Sequence, residues 1–386
     1  MLSRREMLAA TSAAAAVAVA SPAFTRNPGG DSLDGLARRS GRGFGSAAMW
    51  APPGMDAGSI NNPNYATLLE WECSILVPEN QLKWQWVRRG GPDSFDFRAF
   101  DAILAYAESK GFKMRGHTLF WTPTKWYPKW LAERQFHSAA EAEQLLVNHV
   151  QTVCRRYRGK IYSYDVVNEA IQPETGVIRD TNVTKAIGGE QFLDLMFHTA
   201  RAEDPTAELV YNDYMGWETG QNNTHAAGVL KLLEGFRKRG TPVDTLGVQS
   251  HIKLPKDGRV ADAVQAIEGP WRSFLDAVVS MGYKLKITEF DVNDQDAPTD
   301  IAIRDRMVAN YARAYLELML SYPQLNDMLC WGMCDRYSWL NGFAPRHDGT
   351  RERGTPYDVD FRPKLLRDAI AAAFVSAKPS QPGAKA

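Results

Sequence analysis

The chain has 386 residues, of which 44% are hydrophobic and 23% are charged, as expected for a globular protein with a large core. Its 45 basic and 45 acidic residues balance. A nucleic-acid-binding protein usually carries a basic surplus, so we expect no nucleic-acid partner.

The first 23 residues have the pattern of an export signal. Arg4 and Arg5 precede a short Ala-rich apolar run and A-x-A-like cleavage sites, and the paired arginines favour the twin-arginine route. A transmembrane anchor is the alternative, but the run is too short and too rich in alanine. We therefore predict an exported, periplasmic or extracellular protein with no membrane association after removal of the signal. Residues 24–42, rich in Gly, Arg and Ser, are interpreted as a linker.

From residue 43 onwards, short β-rich runs alternate with stretches of helical periodicity. Eight runs begin near residues 44, 73, 113, 161, 207, 244, 284 and 328. Apolar residues recur with the spacing of an amphipathic helix over 97–111, 141–157 and 306–322, and a final helix is expected over 363–374. This alternation predicts an α/β fold, a (β/α)8 TIM barrel, as a single catalytic domain over 43–378 with a polar tail over 379–386.

Polar and aromatic side chains follow seven of the eight predicted strands, at the end that carries the chemistry in this fold. From the second run onwards they are Glu79, Asn80, Lys83 and Trp84; His117 and Trp121; Asn168 and Glu169; Asn212, Asp213 and Tyr214; Gln249, Ser250 and His251; Glu289 and Asp291; and Trp331, Asp335 and Trp339. Stability alone does not require these side chains on one rim of the barrel, so we interpret them as a functional site.

Two glutamates, Glu169 and Glu289, end the fourth and seventh predicted strands on opposite sides of the barrel mouth. Facing carboxyl groups can hydrolyse a glycosidic bond, with retention of configuration at a separation of about 5–5.5 Å and inversion at about 6.5–9.5 Å. One group must keep its proton while the other is ionised. We expect His251 to hydrogen-bond Glu289 and hold it as a carboxylate, and Asp291 to orient that imidazole. Asn168 is placed to donate to a sugar 2-hydroxyl.

Other interpretations of these residues stay open. An Asn-Glu pair after a strand is often a helix N-cap followed by a first-turn acid. Clustered Glu, Asp and His can also form a metal site, although the histidines here are spread over the third and sixth strands. We expect no metal and no cofactor, since no cofactor motif is recognised. The cysteines Cys73, Cys154, Cys330 and Cys334 are interpreted as buried thiols, with a bridge as the alternative in an exported protein.

Seven segments at successive strand ends carry a family pattern. They are VPENQLKW, RGHTLFW, YDVVNEA, YNDY, GVQSHI, ITEFDV and WGMCDRYSWL. In this order, over roughly residues 43–376, they resemble glycoside hydrolase family 10, the endo-1,4-β-xylanases. The resemblance implies a retaining enzyme that hydrolyses xylan and xylo-oligosaccharides through a covalent glycosyl-enzyme intermediate, and we expect a monomer.

The resemblance also implies a role for each matching residue. Glu169 would be the acid/base and Glu289 the nucleophile. Xylose units on the non-reducing side of the cut would be bound by Glu79, Asn80 and Lys83. The cleavage subsite would be lined by His117, Asn168, Gln249 and His251, walled by Trp121, Trp331 and Trp339, and supported by Asp291.

Structural interpretations apply to several of these residues. Lys83 can be read as a solvated surface charge, Trp121 as core and His117 as a hydrogen-bonded core histidine. Five further tryptophans are undecided between packing and outer subsites, namely Trp84, Trp86, Trp126, Trp130 and Trp217.

The segment WTPTKWYPKW, residues 121–130, departs from the family pattern. Thr122 stands where the family has a histidine, the loop is slightly longer, and the family's sugar-contacting glutamine has no clear equivalent. Selectivity for xylose over glucose is therefore open. A glycosidase acting on cellulose or mixed-linkage glucan, and a non-catalytic sugar-binding barrel, are the rival functions.

Overall fold

The computed structural model describes residue 24 and residues 30–218, 223–256 and 258–380. The predicted export signal over 1–23 and residues 381–386 of the predicted tail lie outside the described residues. The predicted barrel, residues 43–378, lies almost wholly within the described residues.

Eight parallel strands close into a barrel, which confirms the predicted fold. The strands of the chain are β1 (Gly43–Ala48), β2 (Ile75–Pro78), β3 (Lys113–His117), β4 (Ile161–Asn168), β5 (Ile171–Gln172), β6 (Val177–Ile178), β7 (Glu208–Asp213), β8 (Thr245–Val248), β9 (His251–Lys253), β10 (Lys284–Asn293) and β11 (Leu325–Cys330). The barrel order is β1-β2-β3-β4-β7-β8-β10-β11, and β11 pairs with β1 to close it. β5 and β6 form a small antiparallel hairpin after β4, and β9 pairs with the end of β10.

The strands are buried on both faces. In β10 only the two terminal residues are partly exposed, and every residue between them is buried. Such continuous burial is typical of parallel strands that have helices on one face and a packed interior on the other. The site at the mouth therefore stands on a rigid support.

Helices form the outer layer. They are α1 (Leu33–Arg39), α2 (Pro63–Glu72), α3 (Trp84–Val87), α4 (Arg98–Lys110), α5 (Lys129–Ala132), α6 (Ala139–Tyr157), α7 (Asn182–Ile187), α8 (Gly189–Glu203), α9 (Thr224–Arg239), α10 (Val260–Ser280), α11 (Ile301–Leu320), α12 (Leu340–Phe343) and α13 (Leu365–Ser376). Local signals set their ends. Ser138 accepts a hydrogen bond from the Glu141 N–H at the start of α6, and Gly111, at φ 74°, ends α4. The four predicted helical stretches correspond to α4, α6, α11 and α13.

The predicted linker over 24–42 is wrong for its C-terminal part. This part contains helix α1, whose first turn is capped by the Ser32 side chain. Leu33 and Ala37 are fully buried and Leu36 is nearly so. The Gly, Arg and Ser content suggested a mobile segment, but three apolar residues at helical spacing bury enough surface to dock α1 against α2 and α13.

Two further predictions concern the chain as a whole. Within the described ranges, no helix is long and apolar enough to cross a membrane. All four cysteines are free and buried, in agreement with the thiol interpretation.

Candidate active site

Glu169 and Glu289 lie at the barrel mouth, just after β4 and on β10, two strands that β7 and β8 separate in the barrel. Glu169 directly follows β4 and Glu289 lies within β10, and both are buried. The backbone of Glu169 has φ 59°, a left-handed conformation that non-glycine residues rarely adopt, and its N–H donates to the Asn212 carbonyl oxygen at 2.9 Å. The next residues form the hairpin strand β5, so the helix N-cap interpretation of the Asn-Glu pair is wrong.

An amide and an imidazole hold the two oxygens of Glu289. Asn212 Nδ2 donates to Oε1 at 2.8 Å, and His251 Nε2 lies 3.3 Å from Oε2. The other ring nitrogen of His251 is 2.8 Å from Asp291 Oδ1, and Trp339 Nε1 donates to Asp291 Oδ2 at 2.6 Å. Burial opposes a charge on His251, but Asp291 and Glu289 outweigh it and raise the pKa of the imidazole to about 10. The predicted hydrogen bonds of His251 to both carboxylates are confirmed.

A second set of donors surrounds Glu169. Gln249 Nε2 donates to Glu169 Oε1 at 3.0 Å, and the Trp121 indole acts to lower the pKa of this carboxyl group. The Asn168 side-chain oxygen lies 3.2 Å from Gln249 Nε2 and 3.0 Å from Asn212 Nδ2. Asn168 therefore links the groups that hold Glu169 to those that hold Glu289.

The pKa values of Glu169 and Glu289 are shifted in opposite directions. Burial raises the pKa of Glu169, and the charge of Glu289 adds to this effect. Burial also disfavours the ionised form of Glu289, but His117, His251 and Lys83 overcome it and lower its pKa to about 2. At neutral pH, Glu289 is ionised and Glu169 is the better carrier of a proton. This division is the one that a nucleophile and a general acid require.

Glu79, Asn80 and Lys83 form a polar group beyond the end of β2. Lys83 Nζ donates to Asn80 Oδ1 at 3.2 Å and lies 4.5 Å and 5.6 Å from the ring centroids of Trp121 and Trp331. The Lys83 side chain is buried, so its interpretation as a solvated charge is wrong. Burial lowers the pKa of Lys83, while three surrounding glutamates act in the opposite direction.

His117 joins this group from the end of β3. Its ring packs edge-on against Trp331, with centroids 5.2 Å apart. His117 Nδ1 is 2.9 Å from Asp165 Oδ2, and Arg115 donates to the other oxygen of Asp165. His117 is thus a buried, hydrogen-bonded histidine, as the structural interpretation states. It also contacts Trp331 of the site and contributes to the lowered pKa of Glu289.

The five undecided tryptophans divide between packing and the site. Trp84 and Trp217 are buried, and the Trp84 indole donates to a backbone carbonyl at 2.6 Å. Trp130 also donates to a backbone carbonyl at 2.6 Å and packs against the core. Trp86 is 36% exposed. Trp126 contacts the site, since it stacks on Trp121.

Asp335 lies beyond the end of β11, as expected, but its side chain pairs with a later segment of the chain. Its side chain is fully buried, forms an ion pair with Lys364 at 2.7 Å and accepts a hydrogen bond from the Thr355 hydroxyl at 2.7 Å. These partners come from the segment between α12 and α13. Asp335 therefore anchors that segment to the end of the barrel.

Two residues without a predicted role complete the site. Asn212 donates to Glu289, and the Thr288 hydroxyl donates to Asn212 Oδ1 at 2.7 Å, which fixes the amide orientation. Asp165 pairs with both His117 and Arg115. The sequence contains an indication of both residues. Asn212 lies at the end of a predicted strand, where site residues are expected, and an acid inside a buried strand, such as Asp165, requires partners. The sequence does not name those partners.

A closed parallel barrel with two buried glutamates of opposed pKa at its mouth has the architecture of a glycoside hydrolase. Among the described residues, no group of three or more His, Cys, Asp or Glu is arranged to hold a metal ion. The family model for glycosyl hydrolase family 10 matches residues 32–373. The chain belongs to this family.

Two relatives and one crystal structure illustrate the similarity. Endo-1,4-beta-xylanase B of Paenibacillus barcinonensis is 30% identical over 301 residues, which cover 75% of this chain and 85% of that protein. Endo-1,4-beta-xylanase A of Cellvibrio japonicus (strain Ueda107) is 28% identical over 319 residues, which cover 75% of this chain and 49% of that protein. The crystal structure of xylanase 10B from Thermotoga petrophila RKU-1 in complex with xylobiose has a TM-score of 0.76 and 26% identity, and the match covers 91% of this chain and 98% of that chain.

Proposed function

We propose that this chain is a retaining endo-1,4-β-xylanase, which hydrolyses internal β-1,4-xylosidic bonds of xylan by double displacement. The observation that carries the proposal is the pair Glu169 and Glu289, whose pKa values are displaced in opposite directions at one barrel mouth. Family membership and the xylanases among the relatives support xylan and xylo-oligosaccharides as substrates.

In the first step, ionised Glu289 attacks the anomeric carbon of the sugar in the cleavage subsite. Glu169 gives its proton to the glycosidic oxygen, so that bond breaks as the bond from the carbon to Glu289 forms. Asn212 and His251 each hold one oxygen of Glu289 and keep the attacking carboxylate in place. The product of this step is a covalent glycosyl-enzyme.

In the second step, Glu169 acts as a base. Its carboxylate takes a proton from a water molecule, whose oxygen attacks the anomeric carbon and releases Glu289 as the leaving carboxylate. Each step inverts the configuration of that carbon. The sugar is therefore released with its original configuration.

The surrounding residues bind the polymer in this proposal. Glu79, Asn80 and Lys83 bind xylose units on the non-reducing side of the cut. The polar lining of the cleavage subsite comes from His117, Asn168, Gln249 and His251, and its aromatic walls from Trp121, Trp331 and Trp339. Asp291 acts through His251, because it contacts the imidazole at 2.8 Å.

The test is hydrolysis of unsubstituted xylan, followed by proton NMR of the products before they mutarotate. Release of reducing sugar with the β configuration is expected. Products of α configuration would overturn the retaining mechanism. Faster hydrolysis of cellulose or mixed-linkage glucan would favour the rival glycosidase. A folded protein that binds xylo-oligosaccharides without cleaving them would favour the sugar-binding barrel.

We infer also that the protein is exported and acts as a monomer. The export proposal rests on the pattern of residues 1–23, with Arg4 and Arg5 ahead of the apolar run. Replacing both arginines with lysine should hold the precursor inside the cell if the twin-arginine route is used. Fractionation with N-terminal sequencing checks this, and light scattering of the mature protein checks the monomer.

A further inference from the structure

Arg179 directly follows the β5–β6 hairpin, which separates it in the chain from Glu169. The hairpin returns the chain to the end of β4, where the Arg179 N–H donates to the Ala170 carbonyl oxygen at 2.8 Å. The carbonyl oxygen of Arg179 accepts a hydrogen bond from the Thr184 hydroxyl, in the first turn of α7, at 2.8 Å. The backbone of Arg179 is therefore fixed on both sides, next to Glu169.

The Arg179 guanidinium donates hydrogen bonds to three segments of the barrel mouth. Nε donates to the backbone carbonyl oxygen of Glu169 at 2.8 Å. Nη1 donates to Gln172 Oε1, on β5, at 2.7 Å, and Nη2 donates to the hydroxyl of Tyr214, directly after β7, at 2.9 Å. Because the guanidinium is planar and its donors point in fixed directions, one rigid group joins these three segments.

The backbone of Glu169 has a conformation that requires support. Its φ of 59° lies in the left-handed region, which a non-glycine residue keeps only where its surroundings impose it. On one side, the Glu169 N–H donates to the Asn212 carbonyl oxygen at 2.9 Å. On the other side, the Glu169 carbonyl oxygen accepts the bond from Arg179 Nε. These two bonds hold the peptide groups that set the direction in which the carboxyl group points.

We propose that Arg179 is a positioning residue, which fixes the backbone of Glu169 so that its carboxyl group meets first the glycosidic oxygen and then the attacking water. The inference rests on the proposed role of Glu169 as acid/base. Hydrogen bonds from a charged donor are stronger than those from a neutral one, so this contact resists displacement. Glu289 is held separately, by Asn212 and His251. Loss of Arg179 should therefore impair the acid/base and spare the nucleophile.

The experiment measures kcat and KM on two aryl xylobiosides. With the phenyl glycoside, whose poor leaving group needs a proton, kcat/KM should fall by roughly 10- to 100-fold, since a misplacement of about 1 Å can cost 100-fold. With the dinitrophenyl glycoside, kcat/KM should stay nearly unchanged, because its leaving group departs without a proton. Its kcat and KM should fall together, because the second step still needs a base and the glycosyl-enzyme accumulates.

Three variants carry the test. Arg179→Ala removes all three hydrogen bonds of the guanidinium. Arg179→Lys keeps the charge without the planar fork, and it should show the same difference between substrates to a smaller extent. Arg201→Ala is the matched control, because Arg201 Nη1 also donates to backbone carbonyl oxygens, those of Pro205 at 3.0 Å and Ala207 at 2.8 Å. These residues precede β7, at the end of the barrel away from the mouth, so the ratio between the two substrates should stay at its wild-type value.

Equal losses of kcat on the two glycosides with unchanged KM would indicate only a smaller folded fraction, and would overturn the inference. Unchanged hydrolysis of the phenyl glycoside would also overturn it. The lysine variant decides the outcome where the alanine variant folds poorly. Wild-type activity on xylan is measured in parallel. A wild type that does not cleave xylan overturns the proposed function, whereas an active wild type with unaffected Arg179 variants overturns only the positioning role.

Discussion

His251 Nε2 lies 3.3 Å from Glu289 Oε2, while the same ring holds Asp291 Oδ1 at 2.8 Å through Nδ1. Burial works against a charge on this ring, yet the two carboxylates raise its pKa to about 10. The imidazole therefore stays cationic through the neutral range beside a glutamate whose pKa is about 2. In the proposed mechanism, Glu289 therefore needs no proton transfer before its attack on the anomeric carbon.

Removal of Glu289 should abolish turnover and leave binding. We expect Glu289→Ala to lose a factor on the order of 10⁴ or more in kcat, as nucleophile removal does in other hydrolases. Affinity for xylo-oligosaccharides, measured by calorimetry, should persist. Azide should enter the vacated space and yield a glycosyl azide of inverted configuration, identified by NMR. Turnover within tenfold of wild type would contradict the assignment.

Loss of Glu169 should slow the hydrolysis of different substrates to different extents, according to their leaving groups. Its proton must be present when the bond breaks and absent when water attacks. Glu169→Ala should therefore cripple xylan hydrolysis but spare the first step for an activated aryl glycoside, which needs no acid. Burst kinetics on the aryl glycoside would show the spared step. Equal losses on both kinds of substrate would mean that Glu169 is not the general acid.

The pH profile of kcat/KM should have an acidic limb set by Glu289 and a basic limb set by Glu169. Glu289 must be ionised, so kcat/KM should fall as the pH drops through its pKa of about 2. Glu169 must be protonated, so kcat/KM should fall as the pH rises through a pKa above the ordinary value of 4.5. Gln249→Ala removes a donor to the Glu169 carboxylate and should move the basic limb upward. A wild-type basic limb at or below pH 4.5 would refute the assignment.

Selectivity between xylose and glucose should depend on Trp126. The family pattern has a histidine at the position of Thr122 and a sugar-contacting glutamine in this loop, so the resemblance implies that two polar groups are missing beside the proposed cleavage subsite. Trp126 can supply bulk there instead. The sugars differ by one hydroxymethyl group, and a pocket wall discriminates such a group by about 1–3 kcal/mol, or roughly 10–200-fold. The kcat/KM ratio of aryl xylobioside over aryl cellobioside should fall in Trp126→Ala. With one leaving group throughout, an unchanged ratio would exclude Trp126 as that wall.

Stability should depend on Glu72, which ties helix α1 to the barrel. Its fully buried carboxylate accepts hydrogen bonds from the Leu33 N–H and from Arg367 Nε, both at 2.6 Å. Glu72→Ala leaves Arg367 without this partner, and we expect a loss of about 3–5 kcal/mol in the free energy of unfolding. Urea denaturation measures it. The exposed Glu70→Ala is the control and should change stability by about 0.5 kcal/mol or less. Equal midpoints for the two variants would contradict the docking role.

Much of the fold could be predicted because strand and helix periodicity are local properties of the chain. The alternation of β-rich runs with amphipathic stretches was sufficient for the barrel, and strand ends converge in any such barrel. Glu169 and Glu289 could be identified in the same way, since each stands at or near the expected end of a predicted strand. The partnership of His251 with Glu289 and Asp291 followed from neighbouring strands and from side-chain alternation along β10.

The sequence could not supply what depends on distant partners. Residues 33–39 were interpreted as part of a linker, because the sequence does not show that α2 and α13 cover their apolar face. The ion pair of Asp335 with Lys364 could not be predicted either, because Lys364 belongs to a later segment. The opposed pKa values of Glu169 and Glu289 are a tertiary property as well. They arise from burial and from charges that several strands bring together, so no local pattern of residues contains them. The stack of Trp126 on Trp121 likewise depends on the path of one loop, which the order of its residues does not specify.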